Sequence, residues 1–103
     1  MADLLTLSEI VARDPSMPDL TIRQYAVLNV LTQYRSVDFG VVCKRLGLSK
    51  PVLTRAITAF EASGWLDRSN DATDQRKRVL QLTSVGRDLA QRLRLAGSKS
   101  FNG

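Results

Sequence analysis

The 103-residue sequence predicts a mainly α-helical domain with a small β-hairpin, a winged helix-turn-helix of order α-α-α-α-β-β-α. Three observations lead there: capped apolar runs at helical spacing, a tight glycine-containing turn between two of them, and a change after Gly64 to alternating apolar and polar residues around a charged stretch. The length suits one compact domain, expected over residues 1–96, with the small and polar stretch 97–103 expected as a disordered tail.

Each element has its own signal. Leu4, Leu7, Ile10 and Val11 recur at helical spacing, so residues 3–13 are expected to form a short amphipathic helix closed off by Pro15 and Pro18. After a linker, Thr21 with Gln24 three residues later makes a capping-box pattern. It opens the run Ile22, Tyr25, Ala26, Val27, Leu28, Val30, Leu31 and Tyr34, which is apolar around most of its circumference and is expected to form the buried centre. Asp38 caps a two-turn helix carrying Phe39, Val42, Cys43 and Leu46 that stops at Gly47. Ser49 caps the next, whose stripe of Leu53, Ala56, Ile57 and Phe60 runs out at Gly64. Leu66 then alternates with Asp67 and Arg68, and Leu80 and Leu82 with Val79 and Gln81, as two short strands. The polar stretch 69–77 between them is too long for a tight turn and reads as a wing. Thr83 caps a last helix bearing Val85, Leu89 and Leu93, expected to be little longer than three turns.

Composition narrows the function. There is no histidine and one cysteine, so neither an internal disulfide nor a structural zinc site can be assembled, and the usual acid/base side chain is absent. No enzyme, cofactor or metal is expected. Cys43 reads as a small buried hydrophobe, and Trp65 as packing at the hairpin base. No apolar run reaches the length of a membrane span and no secretory signal pattern opens the chain, so a cytoplasmic, nucleoid-associated location is expected. The net charge of +5 is unevenly placed. Residues 1–43 hold three basic against five acidic residues, residues 44–78 eight against four, and the remainder four against one. The surplus therefore coincides with the helix-turn-helix, the hairpin and the last helix, where a polyanion would bind.

A helix-turn-helix followed by a charged hairpin is suited to duplex DNA, because one face of the second helix packs inward while the other enters a major groove about 12 Å wide. With Leu53, Ala56, Ile57 and Phe60 turned inward, Ser49, Lys50, Pro51, Thr54, Arg55 and Thr58 occupy the outer, N-terminal part. Arg55 suits a bidentate contact to guanine O6 and N7 or a phosphate clamp, and Thr54 and Thr58 suit phosphate or methyl contacts. Arg68, Arg76, Lys77 and Arg78 around the hairpin complete the expected contact set, while Lys44 and Arg45 read either as solvated charges or as phosphate contacts. The expected partner is double-stranded DNA. The alternative is a winged-helix module that docks on another regulator or on RNA polymerase.

From Leu20 to Leu89, through L-T-I-R-Q-Y-A-V-L, K-R-L-G-L-S-K-P-V-L-T-R-A-I, G-W-L-D-R and D-A-T-D-Q-R-K-R-V-L-Q-L-T-S-V-G-R, the chain resembles the multiple-antibiotic-resistance regulator (MarR) family of bacterial winged-helix transcription factors. In that family an acidic residue and an arginine two positions later shape the wing. Asp74 and Arg76 match them, and the resemblance implies that Arg76 enters a minor groove, where narrow A·T-rich stretches favour arginine. The L-T-x-x-G signature falls on Leu82, Thr83 and Gly86. Family members carry long first and last helices that build a dimer and a ligand pocket. The terminal helices expected here are abbreviated, yet Leu4, Leu7 and Val11 with Leu89 and Leu93 form an apolar stripe that fits a homodimer or, alternatively, packs within one chain to complete a monomer's core.

Overall fold

The computed structural model describes residues 4–14, 19–70, 73 and 78–102. Its elements run α1 (Leu4–Arg13), α2 (Ile22–Thr32), β1 (Val37–Asp38), α3 (Phe39–Leu46), α4 (Lys50–Ala62), β2 (Leu66–Asn70), β3 (Arg78–Leu82) and α5 (Ser84–Asn102). The expected order is present, with one addition. Val37 and Asp38 pair with Leu80 and Val79, so the hairpin is part of a three-stranded antiparallel sheet of order β1-β3-β2. The hairpin register pairs Leu66 with Leu82, Arg68 with Leu80 and Asn70 with Arg78.

Local chemistry sets the helix boundaries. Thr21 and Gln24 form the reciprocal capping box, with the Gln24 N–H donating to Thr21 Oγ1 at 3.1 Å and the Thr21 N–H to Gln24 Oε1 at 2.9 Å. The Asp38 carboxylate accepts from the Gly40 N–H and the Ser49 hydroxyl oxygen from the Val52 N–H. Gly47 (φ 63°) ends α3 in the left-handed region, and Gly64 (φ 78°) does the same after α4.

α2 lies at the centre, against α3, α4, α5 and β3, which is why it is apolar on so many sides. Its Val27, Leu28, Val30 and Leu31 are buried with Phe39 and Val42 of α3, with Leu53, Ile57 and Phe60 of α4, and with Leu66, Leu80 and Leu82 of the sheet. Leu89, Ala90 and Leu93 close the core from α5, and α1 packs against α5. Cys43 and Trp65 are partly buried against the same core.

The last helix departs from expectation. Residues 97–102, expected as a tail, continue α5, which at 19 residues is about 28 Å long. A glycine stops a helix when it turns left-handed; Gly97 stays in the helix, where its cost of about 1 kcal/mol is tolerated, and no proline follows it.

Candidate nucleic-acid interface

Helices α3 and α4 are joined by Gly47, Leu48 and Ser49, and α4 is oriented by its buried stripe of Leu53, Ala56, Ile57 and Phe60. That stripe fixes what faces outward. Ser49, Lys50, Pro51, Arg55 and Thr58 are exposed and Thr54 is half-buried at the rim. Pro51 sits in the first turn, where the helix loses no hydrogen bond to it. Among the described residues neither Arg55 nor Lys50 has a hydrogen bond or ion pair within the chain, so both cations are free for a partner. Ser49 is committed to its cap on Val52 and Pro51 has no N–H, leaving the Lys50 N–H and the positive end of the dipole toward an anion.

The hairpin is locked to the end of this helix. Trp65 N–H donates to the Phe60 carbonyl at 2.9 Å and Gly64 N–H to the Glu61 carbonyl at 3.0 Å, the paired bonds of a Schellman ending. The Phe60 and Trp65 rings pack 5.6 Å apart at a 50° tilt, supplying its hydrophobic contact. Thr83 then bridges this turn to α5. Its N–H donates to the Trp65 carbonyl at 2.9 Å, its hydroxyl donates to the Gly64 carbonyl at 2.7 Å, and its oxygen accepts from the Gly86 N–H at 3.1 Å. A Cβ on Gly86 would stand 2.1 Å from the Trp65 carbonyl oxygen. The Leu82, Thr83 and Gly86 signature is thus a joint: Leu82 is buried, Thr83 caps α5 onto the turn, and Gly86 permits the close approach.

The wing residues divide. Arg78 is exposed at the start of β3, opposite Asn70. Arg76 and Lys77 lie outside the described residues, as does Asp74. Arg68, expected as a DNA contact, has its Nη2 2.8 Å from Glu61 Oε1 on α4. Strand alternation accounts for this, because Arg68 shares a face with buried Leu66 and therefore points toward α4. Arg45 donates to Tyr34 Oη at 3.5 Å, while Lys44 is exposed.

Two features escaped sequence reasoning. Arg87 of α5 donates to the Tyr34 carbonyl at 3.2 Å and the Arg35 carbonyl at 3.3 Å, holding the chain that leads into β1. Its partners are more than fifty residues away, and no local pattern announces them. A cavity of about 120 Å³ also opens between α2 and α5, lined by Tyr25, Leu28, Thr32 and Arg94 among others. Burial, aided by the Asp19 carboxylate, pushes the Tyr25 phenol above its ordinary value of 10.0. No helix among the described residues is long and apolar enough to cross a membrane.

Residues 19–77 match the pattern of the family described as MarR family. The homoprotocatechuate degradative operon repressor of Escherichia coli is 31% identical over 101 residues, a match covering 89% of the chain and 68% of the repressor. Among solved structures, reduced AbfR bound to DNA superposes with a TM-score of 0.71 at 29% identity, over 78% of the chain and 58% of AbfR. The PcaV transcriptional regulator of Streptomyces coelicolor, in complex with its natural ligand, gives 0.78 at 28% identity over 94% of the chain and 65% of PcaV. The chain thus spans roughly three fifths to two thirds of the length of these proteins.

Proposed function

The chain belongs to the MarR family, and from that premise we propose that it is a sequence-specific, double-stranded DNA-binding transcription regulator that lays α4 in the major groove and its wing in the adjacent minor groove. The observation that carries the reading is the outer face of α4, where Lys50, Pro51, Arg55 and Thr58 stand exposed on the N-terminal part of the second helix of a helix-turn-helix. Arg55 reads a base edge, Lys50 and the helix N-terminus hold phosphate, and Thr54 and Thr58 contact phosphate or a thymine methyl. Arg76, Lys77 and Arg78 serve the wing. A 29%-identical structural relative is bound to DNA, and a 31%-identical relative is an operon repressor, which support the same reading. The role is one of binding, with no catalytic group assigned, and its place is the bacterial nucleoid.

The protein acts as a homodimer built through its terminal helices. Of the stripe read from the sequence, Leu89 and Leu93 are spent on the chain's own core, where α1 packs on α5, and the seam offered to a second copy is the outer side of α1, where Leu5 is 80% exposed. A two-fold dimer reads an inverted repeat with half-sites about one helical turn, or 10–10.5 bp, apart.

The test is fluorescence anisotropy with duplexes selected by the protein from a random pool, against unselected duplexes, over a salt series. Selected duplexes are expected to bind about 10³-fold tighter or more, with affinity falling steeply as salt rises. Equal, salt-insensitive binding of both sets would refute DNA recognition.

A further inference from the structure

We propose that the Glu61–Arg68 ion pair is a positioning link that sets the angle between the recognition helix and the wing hairpin, and so determines which DNA sites are accepted. The inference rests on the DNA-binding reading above and assigns to two residues a role in discrimination without contact to DNA.

Both residues are placed by periodicity. Glu61 follows Ile57 by four positions, so it continues the inward stripe of α4 at the point where the core ends. Arg68 follows buried Leu66 by two and points from the sheet toward the same helix. Their side chains are only 32% and 29% exposed and meet at 2.8 Å. Between them the chain makes the Schellman turn at Gly64 and Trp65, and buried Leu66, Leu80 and Leu82 with the β1–β3 pairing seat the inner half of the hairpin. The ion pair adds a side-chain tie between α4 and the edge strand β2, which β1 does not pair with.

Its leverage follows from the dimensions. Glu61 is six residues, or roughly 9 Å of helix, from the level of Arg55. Arg68 is three residues, or roughly 10 Å of strand, from the loop at the hairpin tip. A tilt of about 10° over such an arm moves the tip by about 2 Å, several times the ~0.5 Å within which a binding constellation must be held. A pair of this exposure adds little to stability, so fixing geometry is the role that suits it.

The sign of the charge makes the test sharp. Glu61 is acidic beside a polyanion, so charge alone predicts that removing it strengthens all DNA binding. Positioning predicts that Glu61→Gln lowers the ratio of selected-duplex to random-duplex affinity by about tenfold, the weight of one base contact, while random binding holds or rises. The charge swap E61R/R68E restores the ratio to near wild type, because it rebuilds the link with its charges exchanged. Thermal unfolding of both variants stays close to wild type. An unchanged ratio in Glu61→Gln overturns the proposal, and so does a swap that lowers the ratio as much as the single change, since Arg68 would then be touching DNA itself. A wild-type protein that selects no sequence from the pool would instead overturn the DNA-binding reading, a result distinct from either of these.

Discussion

Replacing Gly86 with alanine tests the joint between wing, recognition helix and α5. The new methyl would stand 2.1 Å from the Trp65 carbonyl oxygen, 2.9 Å from its carbon and 3.1 Å from its Cα, all backbone atoms with no rotamer to escape into. Relief requires α5 to move away from the turn, to which Thr83 ties it by two hydrogen bonds. Overpacking of this kind costs about 1–3 kcal/mol. Weakening two of the Thr83 bonds adds about 2 kcal/mol, and the better helix propensity of alanine returns about 1 kcal/mol. The net loss is about 2–4 kcal/mol, which in a domain of this size lowers Tm by at least about 8 °C. Thermal unfolding followed by circular dichroism measures it, with Thr83→Ser as a control that keeps the hydroxyl and melts near wild type. A Gly86→Ala protein melting at or above the wild-type temperature would show that helix propensity governs the position and that the close approach to Trp65 is not what holds the joint.

Arg55→Ala is expected to cost about 1–3 kcal/mol on selected duplexes and to relax preference at one base position; equal losses on random duplexes would make Arg55 a phosphate anchor. Arg76→Ala should weaken binding most at sites with A·T-rich flanks, measured by anisotropy on flank-swapped duplexes, and a flank-independent loss would refute minor-groove insertion. Leu5→Glu should convert a dimer to a species of 11.4 kDa in light scattering without loss of helicity, since that side chain is already exposed; a wild-type mass of 11.4 kDa would end the dimer proposal. Tyr25 has a folded pKa raised above the unfolded value of 10.0, so its contribution to stability is complete below that pH and is lost as pH climbs through the folded value. Tyr25→Phe should therefore lose less stability than wild type in alkaline urea titrations, and superimposable pH profiles would refute the assignment.

What was legible in the sequence was what short-range chemistry decides. Thr21, Asp38 and Ser49 announce helix starts because a cap acts within three residues, and Gly47 and Gly64 announce stops because each takes a left-handed conformation. The exposed face of α4 was readable for the same reason, since its buried stripe is periodic. β1 was not, because two residues carry no alternation and their pairing with β3 is made across some forty positions. The ion pair of Arg68 went unread for a different reason: its charge draws attention to a phosphate, while its two-residue offset from Leu66 indicates the side facing α4. At the C-terminus, Gly97 has the composition of a stop, but only the backbone angle distinguishes a stopping glycine from one carried inside a helix.

The small strand β1 has a consequence for how such a protein can diversify. A lone two-stranded ribbon is marginal in water, so altering its tip would ordinarily endanger its pairing. Here β3 is gripped on both sides, by β2 and by the chain leaving α2, and its register is secured as far out as Asn70 and Arg78. Residues 71–77 can then be exchanged or lengthened almost as a cassette, at an entropic cost that grows only as the logarithm of length. Evolution gains a segment whose sequence can change while the domain that carries it stays folded.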